Sequence, residues 1–222
     1  MERENFIKSI FGTGALLSIP FSCNSVDEFN GEIADISRKC KGNMIGFKTL
    51  PIEKVRVGLI GIGNRGKTLI QMFDFLLENK KAEIVALCDL DKKNIDFALN
   101  HLKGKQSLVP KNYVDGSNDW KNLVEMEDID LLLIATPWEW HTKMAIYGME
   151  KGKHVASEVP IAYTLEDCIS LVETAERTQR HCIMIENCCY NSEELWIMNM
   201  IQEGVFGKLT HAECAYNHDL RA

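Results

Sequence analysis

Residues 55–66 read Val-Arg-Val-Gly-Leu-Ile-Gly-Ile-Gly-Asn-Arg-Gly, and an amphipathic stretch, Thr68 to Glu78, follows at once. Val55, Val57, Leu59 and Ile60 fit a short buried strand, and the stretch after the glycines fits a helix. Gly61-x-Gly63-x-x-Gly66 therefore sits directly after a strand and opens a helix, the context in which this spacing binds a dinucleotide. The first glycine permits the tight turn and the second lets the backbone approach a pyrophosphate. The third lets helix and strand pack closely, with the anion on the helix N-terminus. Glycine-rich turns also serve other folds, so a second signal is needed. Asp89 supplies it: it stands 23 residues past Gly66, at the end of the next apolar strand, Ile84 to Cys88. A carboxylate there can accept both ribose hydroxyls of an adenosine, and its charge repels a 2′-phosphate, so NAD is expected rather than NADP. The plainer alternative is a solvated carboxylate at a strand end.

Outward from this unit the pattern repeats. Ile129 to Ala135 is a third apolar strand, closed by Thr136-Pro137, and helix signals follow over His141 to Lys151. A strand is expected over His154 to Glu158. Thr164-Leu-Glu166-Asp167 opens a helix with an acidic first turn that runs to about Arg177, and Cys182 to Glu186 is a further strand. Short apolar strands alternating with helices of eleven to fourteen residues predict a doubly wound α/β domain with a parallel sheet, over residues 54–187. After Asn191 the pattern changes to a helix, Glu193 to Gln202, then Gly204, Gly207 and an alternating strand, Leu209 to Tyr216. A lone long strand cannot bury both its edges. Residues 188–222 are thus expected to be the start of a second, α+β sheet domain that is incomplete here.

The composition excludes several classes. The net charge of −7 carries no basic stripe, which argues against nucleic acid as a partner. Eight cysteines are too sparse for a disulfide scaffold; Cys88, Cys168, Cys182 and Cys214 lie in apolar runs and read as small core residues. His211, His218 and the Cys188-Cys189 pair lack metal-ligand spacing, so no metal is expected. At the front, Ser9 to Phe21 is an uncharged, mostly apolar run of 13, too short to span a bilayer but suited to a signal-peptide core. Residues 1–23 are accordingly expected to be an export leader, and Ser22-Cys23 resembles a loose lipobox. Residues 24–53 show no sustained period and read as a linker.

Thr136-Pro137-Trp138-Glu139-Trp140-His141 follows the third strand, at the carboxyl end of the sheet where open α/β folds bind ligands. Two of the four tryptophans cluster there. They fit an aromatic plug under a loop, or a surface that stacks on the nicotinamide end of a cofactor.

These segments resemble a known family in order and spacing. Gly58 to Gly66, Cys88-Asp89-Leu90-Asp91, Ala135 to His141, Gly152 to Pro160, Glu186 to Tyr190 and Gly207 to Arg221 are similar to glycoside hydrolase family 109, the NAD-dependent glycosidases of the Gfo/Idh/MocA superfamily. The resemblance covers about residues 54–222 and implies a Rossmann-type domain that binds NAD. By position it assigns Asn64, Arg65, Asp89, Trp138, Glu139, Trp140, His141, Glu158 and Asn187 to NAD, together with the glycine turn, and Tyr216 to the sugar. The substrate class it implies is a glycan or glycoside with a terminal α-N-acetylgalactosamine. The chemistry it implies is oxidation at sugar C3, elimination of the aglycone from C1, addition of water and re-reduction. Sugar dehydrogenases of the superfamily carry Glu-Lys-Pro where this chain has Glu158-Val159-Pro160, and valine cannot transfer a proton. The family's catalytic Tyr-Pro-Thr-His-Gly segment is implied to lie downstream of Ala222, so no catalytic residue is assigned within this chain. The chain alone is expected to be inactive, either a portion of a longer protein or the product of a truncated gene. Homo-oligomers, where they form, are expected to use the sheet domain. A sugar oxidoreductase and a non-catalytic NAD-binding remnant stand as alternatives.

Overall fold

The computed structural model describes residues 43–44, 46–187 and 191–213. They fall into two compact units divided after Ile185, two residues before the boundary expected from sequence. The expected leader, Cys23, Cys214 and Tyr216 lie outside the described residues.

The first unit is built on six parallel strands: β1 Val55–Ile60, β2 Ala82–Cys88, β3 Lys111–Tyr113, β4 Leu131–Ile134, β5 His154–Glu158 and β6 Cys182–Ile185. Their order is β3-β2-β1-β4-β5-β6, so the winding reverses between β1 and β4. The helices are α1 Asn64–Met72, α2 Asp74–Glu78, α3 Lys92–Leu102, α4 Asp119–Val124, α5 His141–Glu150 and α6 Leu165–Thr178. Successive side chains of a strand point to opposite faces, and both faces of this sheet are covered. Val57, Leu59 and Leu133 meet Leu69, Ile70, Ile95 and Ala98 of α1 and α3 on one side. Ile60, Leu132 and Ile134 meet Leu123, Met144 and Leu171 of α4, α5 and α6 on the other. Burial on both faces explains why the strands read as continuous apolar runs rather than alternating ones. At the amino edge, Arg56 grips Asp130 through Nε and Nη2 at 3.0 and 2.8 Å, which locks β1 beside β4. The guanidinium also holds the Asp130 carboxyl below its usual range.

Several expectations need revision. The helix expected over Thr68 to Glu78 starts earlier and breaks in two, because the Phe73 N–H is shared between the Leu69 and Ile70 carbonyls, at 3.1 Å each. β3, α3 and α4 were not anticipated. β3 is three residues long, and α4 is too short to show a period. α3 was legible: Asp91 caps the Lys93 N–H at 2.9 Å, and Ile95, Ala98 and Leu102 recur on one buried face. The end of the expected linker is built into the domain. Met44 packs against the α6 side of the core, and the Phe47 ring lies 5.0 Å from that of His181. Cys168 is exposed rather than core. Burial does account for Cys88 and Cys182, pushing their thiols up to about 12 and about 11.

The β5–β6 edge carries a pH dependence. The His181 N–H donates to His154 Nδ1 at 3.0 Å, which requires that nitrogen to be unprotonated. Burial first, then the neighbouring His181 and Arg180 charges, lowers the His154 pKa. An unfolded chain takes up this proton below about pH 6.5 while the folded one resists it. The contribution is therefore complete above that pH and is lost as pH falls toward the lowered folded value. Thermal melts should show Tm dropping between pH 7.5 and 5.5. His154→Asn, which keeps an acceptor but does not titrate, should flatten that drop.

In the second unit, α7 runs Ser192–Gln202, close to expectation. Leu195, Trp196, Ile197 and Met198 along it are all exposed. Of the strand expected over Leu209 to Tyr216, the described part, 209–213, has no strand pairing. A strand needs a neighbour to satisfy its backbone groups, and none is present among the described residues.

Candidate dinucleotide site

The carboxyl ends of β1, β2 and β4 border a crevice of about 350 Å³ at the point where the winding reverses. Gly61 takes φ +88°, and a Cβ there would stand 2.6 Å from the Ala135 carbonyl oxygen, so the turn folds flat against the end of β4. A Cβ on Gly66 would stand 2.1 Å from the Gly61 carbonyl oxygen, so only glycine lets α1 start so close to the turn. Gly63 differs: its φ is −67° and nothing lies within 4 Å of a Cβ placed there. Its face looks into open space, where a ligand can approach the backbone. Gly63 is also the N-cap of α1 and supplies no side-chain cap, which leaves the first N–H groups of the helix open to an anion.

Asp89 is oriented by three donors. Its Oδ2 accepts from the Ile62 N–H at 2.6 Å, and its Oδ1 from the Asp91 N–H at 2.8 Å and Asn94 Nδ2 at 3.1 Å. A carboxylate offers about four lone-pair sites, so roughly one remains, on Oδ2. A ribose hydroxyl can add there, or take the place of the Asn94 side-chain contact on Oδ1. Asn94, Gly116, Ser117, Trp120 and Met144 also line the crevice and were missed. Asn94 followed from the unread α3, and Gly116, at φ +112°, marks a turn after β3 that the sequence shows as Asp-Gly. The apolar walls made by Trp120, Pro137 and Trp140 suit the flat face of a base, and Asp89 suits a ribose.

The loop after β4 is divided in its roles. Trp138–Trp140 forms a 3₁₀ turn. Trp140 lines the crevice under the Lys143 ammonium, which lies 5.4 Å from its ring. Trp138 and Glu139 are exposed, and the Trp138 ring lies 6.0 Å from that of Tyr163. His141 is fully buried, with Nδ1 2.8 Å from the Pro160 carbonyl oxygen and Nε2 2.8 Å from that of Thr136. Its ring joins the loops after β4 and β5 and has no edge toward the crevice, contrary to its expected place among the direct cofactor contacts.

Arg65 and Glu158 are brought together across the end of β4: Arg65 Nε donates to Glu158 Oε1 at 2.6 Å. Val159-Pro160, which follows Glu158, is a cis peptide. Asn64 is exposed on the first turn of α1. Asn187 belongs to the second unit. Among the described residues, no group of three or more His, Cys, Asp or Glu side chains stands close enough to hold a metal.

Comparison with known proteins agrees with this geometry. Residues 55–186 match the profile of the oxidoreductase family with an NAD-binding Rossmann fold, and residues 190–222 match the C-terminal domain of glycosyl hydrolase 109. The chain is 46% identical over 180 residues to an alpha-N-acetylgalactosaminidase of Bacteroides fragilis, covering 81% of this chain and 41% of that protein. It is 39% identical over 221 residues to glycosyl hydrolase family 109 protein 1 of Shewanella sp. (strain MR-4), covering 100% of this chain and 47% of the other. The chain thus spans less than half the length of these curated relatives. Among solved structures, the WlbA dehydrogenase of Chromobacterium violaceum, in complex with NADH and UDP-GlcNAcA, shares the fold. Its TM-score is 0.59 at 22% identity, over 71% of this chain and 42% of that one. A glycine turn with no room for a Cβ at two of its positions and open space at the third, an oriented acid at the end of β2, and a family profile over residues 55–186 lead to one assignment: the chain belongs to the Gfo/Idh/MocA oxidoreductase family, and its cofactor is NAD.

Proposed function

We propose that this chain is the cofactor-binding part of an NAD-dependent glycoside hydrolase that acts on terminal α-N-acetylgalactosamine. The observation that carries the reading is Val159, beside the cis peptide at the end of β5. Where the dehydrogenases of the superfamily place a lysine, this chain has a side chain that can neither take nor give a proton. Oxidation of a sugar hydroxyl at C3, transient or net, therefore needs an acid–base partner other than the residue the dehydrogenases use, and Glu158-Val159-Pro160 departs from their pattern in the way the family 109 resemblance implies. Bound NAD would supply the reversible removal of hydride from sugar C3, which makes the C2 proton acidic enough for the aglycone to leave C1 by elimination. Water then adds and C3 is reduced again.

Within this chain Gly61, Gly63 and Gly66 would shape the pyrophosphate turn and Asp89 would hold the adenosine ribose. Trp120 and Trp140 would wall the base. Trp138 would stack toward the nicotinamide end, and by family resemblance Glu139 and Asn187 would serve NAD and Tyr216 the sugar. The acid–base groups are proposed to lie in sequence corresponding to the remaining length of the curated relatives. Residues 1–23 are proposed to direct export.

The test is a chain extended to the relatives' length and assayed with an aryl α-N-acetylgalactosaminide in deuterated water. Release of the sugar with deuterium at C2 and no net NADH is the expected result. Cleavage without C2 exchange would exclude the elimination route. Net NADH from a free sugar would replace the reading with a dehydrogenase, and NAD retention without turnover with a binding remnant.

A further inference from the structure

We infer that Glu158 is a positioning residue for the cofactor pyrophosphate, acting through Arg65 rather than by touching the dinucleotide itself. Arg65 is the second residue of α1, beside the open N–H groups of the helix start, and Glu158 is the last residue of β5. β4 lies between β1 and β5, so the pair bridges the carboxyl end of the strand that borders the crevice. The Glu158 side chain is 9% exposed and the Arg65 side chain 38%.

The geometry is asymmetric. The arginine spends only Nε on the carboxylate, at 2.6 Å, and among the described residues its two terminal NH₂ groups have no partner. Each glutamate oxygen has a partner: Oε1 faces Nε and Oε2 accepts from the Val159 N–H at 3.3 Å, which fixes the carboxylate beside the arginine. A guanidinium presents five N–H donors in one rigid plane. Holding it by Nε fixes the direction of the other four without consuming them. The ligand such a fork selects is a phosphate or pyrophosphate, and the uncapped helix start at Gly63 is one residue from Asn64 and two from Arg65. Without its glutamate the arginine would rotate freely and lose side-chain entropy on binding. The inference rests on the dinucleotide site and is independent of whether the full enzyme hydrolyses glycosides.

Binding of NAD and of ADP to the 222-residue chain, measured by calorimetry, separates this role from a direct contact. ADP carries the pyrophosphate but no nicotinamide ribose. Glu158→Ala should weaken NAD and ADP alike, by about tenfold, the size expected of one charge-assisted contact. In an Arg65→Met background the same change should cost ADP nothing further. Loss confined to NAD would mean that Glu158 touches the nicotinamide half, and loss of ADP affinity persisting in Arg65→Met would mean that it acts without the arginine; either overturns the inference, as does no loss at all. Glu158→Gln keeps the volume and the acceptor. If Glu158→Ala fails to fold, Glu158→Gln should still weaken ADP a few-fold, and unchanged ADP binding there would reject the role. The Arg65 Nε–H resonance gives a direct readout. It should stay protected from solvent exchange when ADP is added, whereas its release by ADP would show that the pair opens rather than positions.

Discussion

Gly63→Val is expected to leave the fold intact and to reduce NAD affinity roughly a hundredfold or more. The backbone at Gly63 has φ −67°, which any L-residue adopts, and no atom lies within 4 Å of the added Cβ. Stability should therefore change by no more than about 1 kcal/mol, the range of an N-cap substitution. The new isopropyl group would occupy the space through which a pyrophosphate approaches the start of α1. Gly66→Ala should behave in the opposite way. Its Cβ would stand 2.1 Å from a backbone oxygen that cannot swing aside, so the helix or the turn has to move. A cost of about 3 kcal/mol or more is expected, read as a lowered urea midpoint before any ligand is added. If Gly63→Val binds NAD normally, the open face of the turn is not where the cofactor lies. A Gly66→Ala protein as stable as the parent would mean that the glycine turn is not packed as described.

Asp89→Ala should lose both affinity and discrimination. The carboxylate accepts from the Ile62 and Asp91 N–H groups and from Asn94, and Ile62 is fully buried. Removing it strands the Ile62 N–H, at a cost of about 1–3 kcal/mol. It also removes the ribose acceptor, and NAD binding should weaken by roughly ten- to a hundredfold. The charge that opposes a 2′-phosphate goes with it, so the ratio of NADP to NAD dissociation constants should fall toward unity. A ratio unchanged in Asp89→Ala would show that cofactor choice is set elsewhere in the crevice. Asn94→Leu is the milder control: it removes one of the three donors and should weaken NAD only a few-fold.

Most of the fold that was legible in sequence is the central sheet, whose strands are buried on both faces; the edge strand β6 was legible from its apolar run although Ile183 and Met184 on it are exposed. β1, β2, β4 and β6 are short and mostly apolar with little alternation, β5 is mixed, and the doubly wound class follows from them together with the helices between. β3 escaped because Lys111-Asn112-Tyr113 is polar at an outer strand and carries only one buried residue. The strand expected over Leu209 to Tyr216 shows no pairing in its described part, 209–213: alternation shows that a segment can pair, but pairing needs a second strand.

The same division runs through the site. The glycine spacing and the acid at the end of β2 were fixed by local chain geometry, because a turn without room for a Cβ admits only glycine and a strand end places the next residue at the ligand edge of the sheet. From sequence alone came the dinucleotide turn and the expectation of an NAD-type acid after it. Tertiary structure alone settled which of the remaining candidates face the crevice. His141 and Trp140 are adjacent in the chain, yet one is buried between two carbonyls and the other lines the pocket. Arg65 and Glu158 are 93 residues apart, and nothing in their spacing predicts a 2.6 Å ion pair. Such contacts depend on the reversal of strand order that sets β4 between β1 and β5, a long-range arrangement that no local period encodes.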